Sequence, residues 1–332
     1  MTFARPRNGM SSLNNSPLPS WNDGSVKQSI IEFVERVTNA GQPDFVLPAD
    51  RIAVFDNDGT LWCEKPVPVQ VDFIFRRIAK QAEENPSLCD EQPWKAVAEK
   101  DYKWLTNVIT KHYNGDDRDL KVMAAGLLRA YAGESIESFA EKASSFLHSA
   151  QNPVLKRPYL GTAYAPMVEL LRYLKANGFT NYIASGCTRD FMRTITEQLY
   201  GITPEHVIGS SAALEYKVQN GIANIYHKPE LELFDDGPEK ALRIWSRIGR
   251  RPIFAAGNAN GDIQMLEFTA HPSRPSHCLV VNHDDDERDI AYKEGAEKLI
   301  DVARTKGWSV ISVRDDWHVV FAERSSSAVS AT

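Results

Sequence analysis

Three features are scarce in this chain of 332 residues, and each absence excludes something. There are only four cysteines, Cys63, Cys89, Cys187 and Cys278, far apart and without a CxxC pair. Thiols so scattered make neither a disulfide framework nor a zinc site, and a chain this long needs neither to bury a core. There is no basic excess: 38 Lys+Arg against 44 Asp+Glu leave a net charge of −6. That balance lacks the cationic footprint of a nucleic-acid binder, although a few local donors can still hold a small anion. Finally, no apolar run approaches the roughly 18–20 residues needed to cross a bilayer, so no membrane partner is expected. Arg5 and Arg7 come early, but no apolar stretch follows them. The start therefore does not read as a signal peptide, and a cytoplasmic location is expected, or a periplasmic one if a leader has been removed.

What is present is an alternation of strand and helix signals. Residues 1–24, rich in Asn, Ser and Pro, read as a flexible tail. Asp23 or Ser25 can cap a helix carrying Val26, Ile30, Ile31, Val34 and Val37. The run from Arg51 to Asp56 is apolar on both faces until its terminal acid and predicts a buried parallel strand. Helical spacing then predominates over 69–84, 93–112, 119–131 and 135–148, with no strand between. Further on, strands are predicted at 180–185, 206–210, 251–256, 278–282 and 309–313. Helices are predicted at 165–177, 189–200, 239–248 and 262–268. This order predicts an α/β fold with a doubly wound parallel sheet. The expected division is a core of 25–64 and 157–325, interrupted by an all-helical insertion over 65–156. The acidic run Asp284 to Glu287 reads as a solvated loop or helix start.

The chemistry is concentrated at predicted strand ends, where ligands sit in open parallel sheets. Phe55-Asp56-Asn57-Asp58-Gly59-Thr60 ends the first strand with two carboxylates one residue apart. Their shared charge calls for a cation, and hard oxygen ligands suit Mg²⁺. A carboxylate there can also act as a nucleophile toward phosphorus. Ser185-Gly186 at the second strand end offers a hydroxyl and N–H groups for a phosphoryl oxygen. Asn258 and Asp262, four apart in Gly257-Asn-Ala-Asn-Gly-Asp262, add oxygen donors at a third. Lys240 and Lys228 are the two candidates for a cation that neutralises the phosphate and the attacking acid. Each feature also has a plain structural reading, as a turn, a helix cap or a surface lysine. Their joint occurrence at successive strand ends favours a site.

Together these segments resemble the haloacid dehalogenase superfamily, nearest its phosphoserine-phosphatase-like branch, over residues 50 to 270. Phe55 to Leu61 is similar to the first motif, Ile183 to Gly186 to the second, Lys240 to the third, and Gly257 to Asp262 with Met265-Leu266 to the fourth. The resemblance implies a Rossmann-like core with the helical insertion as a cap. It implies Asp56 as the nucleophile carrying an aspartyl-phosphate, and Asp58 as the acid and then base. Ser185, Gly186 and Lys240 would hold the phosphoryl group. Mg²⁺ would lie on the Asp56 carboxylate, the Asp58 main-chain carbonyl and fourth-motif side chains. Asn258 departs from that pattern, which commonly has an acid there, so either Asn258 or Asp262 is the direct ligand.

Asp58 supplies the acid that leaving-group protonation needs and that dehalogenation does not. The expected activity is therefore Mg²⁺-dependent hydrolysis of a small phosphorylated metabolite. A phosphotransferase or dehalogenase on the same fold and a non-catalytic phosphometabolite-binding protein are the alternatives. Trp62 and Glu64 are the candidates for substrate selection. Glu64 stands one residue short of the place where the related phosphatases put an amine-binding glutamate. Trp94, Tyr102, Trp104 and Tyr113 can form an aromatic box for a quaternary ammonium, but their irregular helical spacing fits core residues better. Arg76, Arg77 and Arg157 are candidates for a second anionic group, with solvated surface as the plainer reading.

Overall fold

Four consecutive apolar residues, Ile52–Phe55, form a strand covered on both faces (β1). Ala53 and Phe55 join one core layer, and Ile52 and Val54 join the other, as the period-2 alternation of a strand requires. The computed structural model describes residues 17–101, 103, 104, 107, 108, 111, 116 and 118–322. The other strands are Thr180–Thr188 (β2), Val207–Gln219 (β3), Ile222–Leu233 (β4), Phe254–Gly257 (β5), His277–Asn282 (β6) and Ser309–Ser312 (β7). They form one sheet in the order β4-β3-β2-β1-β5-β6-β7. Every pairing is parallel except β3 with β4.

β1 lies between β2 and β5, with Phe55 opposite Ile183 on one side and Ala256 on the other. The chain crosses to one side of β1 for β2 and β3 and returns to the other for β5. The carboxyl end of β1 is thus the switch point where an open sheet leaves a crevice. Helices Ser25–Thr38 and Ala165–Ala176 bury Phe33, Leu170 and Leu171 against one face. Helices Pro238–Ile248, Ile263–Thr269 and Glu297–Lys306 bury Ile244, Leu266 and Leu299 against the other.

Between β1 and β2 the described elements are helical: Val69–Glu84, Trp94–Ala98, Arg118–Ala130 and Ile136–Ser149, with short 3-10 turns. Ser135 caps the last of these, its hydroxyl accepting from the Ser138 N–H. Phe73, Tyr131, Phe139 and Phe146 pack together inside the segment, with ring centroids 5.0–5.9 Å apart in the pairs Tyr131–Phe139 and Phe73–Phe139. The segment is tied back at both ends. Asn152 Nδ2 donates to the Lys65 carbonyl at 2.8 Å. Gln70 Nε2 donates to Thr188 Oγ1 at 2.6 Å, and Gln70 Oε1 accepts the Thr188 N–H at 2.8 Å.

Several elements differ from expectation. Residues 1–16 lie outside the described residues, but 17–24 are held rather than free. Leu18 and Trp21 are apolar and bury into the core, Trp21 packing edge-on against Trp317. The helix expected over 189–200 is two, Arg189–Met192 and Thr196–Tyr200. Between them Thr194 turns its hydroxyl onto the Phe191 carbonyl, and Ile195 leaves helical geometry at φ −138°. β2 and β3 continue past their expected ends, and β3 with β4 forms a long hairpin over 211–233 that was not expected. Its turn is Asn220-Gly221, both at positive φ (53° and 78°), the dipeptide best suited to a two-residue hairpin loop. Helix Glu297–Lys306 was also missed. Asp285, in the acidic run, is buried and accepts from the Glu287 and Arg288 N–H groups, so it orders a loop. Among the described residues no helix is long and apolar enough to cross a membrane.

Candidate active site

Beyond β1 the backbone turns at once. The Asn57 carbonyl accepts from the N–H groups of Thr60 and Leu61 at 3.2 and 2.8 Å, folding the motif into a tight loop. Gly59 sits at φ +75°, and a Cβ on it would lie 2.1 Å from Asn258 Nδ2. Only glycine allows this conformation together with so close an approach of the loop after β5. The Gly59 carbonyl accepts from His283 Nε2 at 2.7 Å, and His283 Nδ1 bonds Asp289 at 3.1 Å. Tyr164 OH also donates to Asp289, at 3.0 Å. This buried chain of groups braces the loop from behind.

The tightest feature is a buried ionic triad. Lys240, in the first turn of helix Pro238–Ile248, places Nζ 2.8 Å from Asp56 Oδ1 and 2.6 Å from Asp262 Oδ1. All three residues are buried. Asp262 Oδ2 accepts the Asn258 and Ala259 N–H groups at 2.9 and 3.0 Å, closing the loop after β5. Burial pushes the Asp56 carboxyl well above the usual carboxylate range, and the Asp262 charge adds to this while Lys240 opposes it. Burial works against the Lys240 charge too, yet Asp262 and Asp56 together hold its ammonium well above the ordinary value. Lys228, the other candidate, lies on β4 and pairs with Glu230 at 3.0 Å.

Asp58 is held separately. Trp62, fully buried, donates its indole N–H to Asp58 Oδ1 at 2.5 Å. Burial raises the Asp58 carboxyl to about 6, with the Trp62 hydrogen bond opposing and the Glu64 charge adding. Glu64 Oε1 accepts from Tyr292 OH at 2.5 Å and from Asn258 Nδ2 at 3.2 Å. Asn258 is engaged at both ends, since its Oδ1 accepts from Thr60 Oγ1 at 3.0 Å. Pairing of β2 with β3 shifts between Ser185 and Thr188, so that Gly186 and Cys187 form a bulge. The bulge turns the chain at Ser185 toward the crevice. Ser185 Oγ accepts from the Cys187 N–H at 3.3 Å.

A cavity of about 310 Å³ opens over these groups. Asp56, Asp58, Glu64, Ser185, Gly186, Lys240 and Asp262 all contribute to its lining. Its opposite wall comes from the helical segment between β1 and β2 and from the β3–β4 hairpin. Trp62 and Asn258 stand behind the lining. Trp94 is buried with its indole N–H on Gln81 at 3.1 Å and Arg129 over its ring, and neither it nor Trp104 lines the cavity. Tyr102 and Tyr113 lie outside the described residues. Arg76 pairs with Asp72, and the Arg157 guanidinium donates to the Ala322 carbonyl.

Whether a divalent cation suits this site is a question of charge. Asp56, Asp58 and Asp262 converge, and Lys240 is the one lysine or arginine among the described residues lining the cavity. Burial pushes Asp56 and Asp58 toward neutrality, and a bound cation relieves that cost. Among the described residues no three His, Cys, Asp or Glu side chains form a ready-made cation cage. The donors that fit are instead mixed: carboxylate, amide and main-chain carbonyl oxygens of the kind Mg²⁺ accepts alongside water. Asp262 Oδ1 accepts from Lys240 alone, its Oδ2 is held by the loop, and Asn258 Oδ1 is held by Thr60.

Residues 53–267 match the family of haloacid dehalogenase-like hydrolases, and the chain belongs to that family. No curated protein matches the chain at a significant level. Among solved structures it is similar to a functionally unknown protein from Anaerococcus prevotii DSM 20548. That likeness has TM-score 0.56 and 14% identity, covering 90% of this chain and 94% of the other. A protein of unknown function from Bordetella pertussis Tohama I gives TM-score 0.51 and 15% identity over 79% of this chain and 98% of that one. A phosphoserine phosphohydrolase-like protein from Francisella tularensis subsp. tularensis SCHU S4 gives TM-score 0.44 and 16% identity, covering 79% and 94%.

Sequence reasoning missed the groups that hold the site from a distance. His283, Asp289 and Tyr292 brace it from the segment after β6, and Gln70 reaches it from the first helix of the insertion. None of these carries a local motif. For the hairpin, Asn220-Gly221 between alternating apolar residues was an available signal.

Proposed function

We propose that this hydrolase is a Mg²⁺-dependent phosphomonoesterase that carries the phosphoryl group on Asp56. The observation that supports it most directly is the Asp56–Lys240 contact at 2.8 Å, with the separately held Asp58 carboxyl beside the same cavity. Asp56 attacks phosphorus while the ester P–O bond breaks. Asp58, whose carboxyl is raised to about 6, gives its proton to the leaving oxygen. Its carboxylate then takes a proton from a water molecule, which attacks the aspartyl-phosphate. Inorganic phosphate leaves and Asp56 is regenerated.

Lys240, the Ser185 hydroxyl and the Gly186 N–H would hold the phosphoryl oxygens. Phosphoryl transfer asks mainly for such positioning and charge neutralisation. The Asp56 carboxylate, the Asp58 main-chain carbonyl and a side chain of the 257–262 loop, Asn258 or Asp262, would hold Mg²⁺. Bound there, the ion would neutralise charge on the transferring group. The helical segment 65–156 would serve as the cap that excludes water and shapes the leaving-group side. Turnover of p-nitrophenyl phosphate tests this reading. Wild-type protein should require Mg²⁺, and Asp56→Asn should be inactive. Full activity in EDTA, or an active Asp56→Asn, would overturn it.

A further inference from the structure

The cavity has two unlike ends. At one end stand Asp56 and Asp58 beyond β1 and Ser185 in β2, with Lys240 from its helix. The remainder of the wall is mostly apolar, represented by Val71, Ile74, Met123, Leu127, Phe139 and Phe234, although Asp190, His227 and Asp236 also line it. Val71 and Ile74 come from the first helix of the insertion, Met123 and Leu127 from helix Arg118–Ala130, and Phe234 from the end of the hairpin. A substrate phosphoryl group at Asp56 must therefore direct its organic part against hydrocarbon.

Charge narrows the choice. Among the described lining residues the only lysine or arginine is Lys240, and it is already shared between Asp56 and Asp262. A carboxylate or second phosphate on the substrate would find no cation. It would also be desolvated by the apolar wall and repelled by Asp58 and Glu64. A cationic amine would be drawn by the acids of the lining, Asp236 among them, but desolvated by the same apolar wall. Asp190, the acid on the hairpin side, is matched by Arg189 at 3.6 Å, Arg193 at 3.5 Å and His227 at 3.3 Å. The Tyr292 hydroxyl and the Asn258 amide hold Glu64 Oε1, neutral donors that bring no counter-charge. Tyr131 and Phe139 pack on each other, centroids 5.0 Å apart at 85°, rather than standing open as a cage. At about 310 Å³ the space is at the small end of ligand sites.

We propose that the leaving group is a small, uncharged, apolar alcohol or phenol, so that the substrates are alkyl or aryl phosphates rather than phosphoamino acids, phosphosugar acids or phosphocholine. This rests on the phosphomonoesterase reading above.

The experiment uses the wild-type protein with Mg²⁺ and compares kcat/KM across n-alkyl phosphates from ethyl to hexyl, phenyl phosphate, phosphoserine and phosphocholine. Each added methylene buried against the wall should raise kcat/KM about fourfold until the cavity is full. Phenyl phosphate should exceed phosphoserine and phosphocholine by about tenfold or more, in line with hydrophobic-pocket discrimination. Inhibition by the matching n-alkylphosphonates should strengthen along the same series, a readout independent of leaving-group chemistry. Leu127→Arg should flatten the alkyl series and improve phosphoserine relative to phenyl phosphate. If p-nitrophenyl phosphate is hydrolysed but the alkyl and phosphonate series are flat or falling, the proposal is overturned and the phosphatase reading stands. A charged ester as the best substrate has the same consequence. If no phosphate ester is hydrolysed, the phosphatase reading itself fails and takes the proposal with it.

Discussion

Trp62 donates its indole N–H to the Asp58 carboxylate from a position with no solvent exposure, four residues along the chain. The carboxyl proposed to shuttle the proton is thus aimed by a side chain that does not reach the cavity. Trp62→Phe keeps most of the packing and removes the donor. A hydrogen bond to a charged group contributes roughly 1.5–3 kcal/mol. The expected outcome is a loss of about tenfold or more in kcat with KM little changed, measured on p-nitrophenyl phosphate.

Lys240 stands between two buried acids. Replacing it with Met leaves Asp56 and Asp262 facing each other without a counter-charge, and breaking a buried pair in this way costs about 3–5 kcal/mol. Lys240→Met should lower the urea midpoint strongly and abolish turnover. Lys228→Met, on the exposed hairpin, should do neither. Equal effects from the two variants would contradict the assignment of the lysine.

Gln70 links the helical insertion to the bulge of β2 through three contacts, to Thr188 N–H, Thr188 Oγ1 and Cys187 Sγ. Gln70→Ala orphans a partly buried N–H, for which the cost is about 1–3 kcal/mol. The expected result is a lower unfolding midpoint together with faster amide exchange at Thr188. Unchanged exchange there would mean that the link does not hold the two parts together.

His277 packs between Phe33 and Phe254, with centroids 5.4 and 5.5 Å away, and its Nε2 has no partner. Burial first, and Arg36 second, lower its pKa from 6.5 to about 4. A lowered imidazole binds its proton more readily when unfolded. Its contribution is therefore fully present above pH 6.5 and declines as pH falls from 6.5 toward 4. Between pH 7 and 5 the melting temperature of wild type should fall more than that of His277→Phe.

Metal binding can be read without turnover. An ion that binds only the folded protein stabilises it by about 2.7 kcal/mol at a hundred times its Kd. Mg²⁺ should raise the melting temperature of wild type. The shift should shrink in Asn258→Leu and vanish in Asp56→Ala. A full shift in Asp56→Ala would place the ion elsewhere.

Much of this arrangement was legible locally. The acid pair after β1 and the Asn/Asp loop after β5 are contiguous segments, because a strand end and its loop present several donors from one short stretch. The helices at 69–84, 118–130 and 136–149 were legible too, since amphipathic spacing repeats along each, but the one expected over 93–112 stops at Ala98, two residues before Lys100 takes a positive φ of 55°. The choice between Lys240 and Lys228 was not, because both lie far in sequence from Asp56. Nor were the roles of Trp62 and Glu64. Both follow the motif closely, but one turns inward to Asp58 and the other lines the cavity. That difference depends on Ala163, which bridges Trp62, and on Asn258 and Tyr292, which bond Glu64 from 194 and 228 residues away.

By itself the sequence determined the order of the parallel strands and the acids at the switch point. These follow from periodicity and from local residue chemistry, which need no distant partner. Only the tertiary structure decided that one lysine stands between two buried acids, that Asp262 Oδ2 closes its own loop, and that most of the wall facing them is hydrocarbon. The physical reason is that buried charge and cavity shape are properties of groups brought together from separate elements. Their energies depend on distance and desolvation, which sequence spacing does not record.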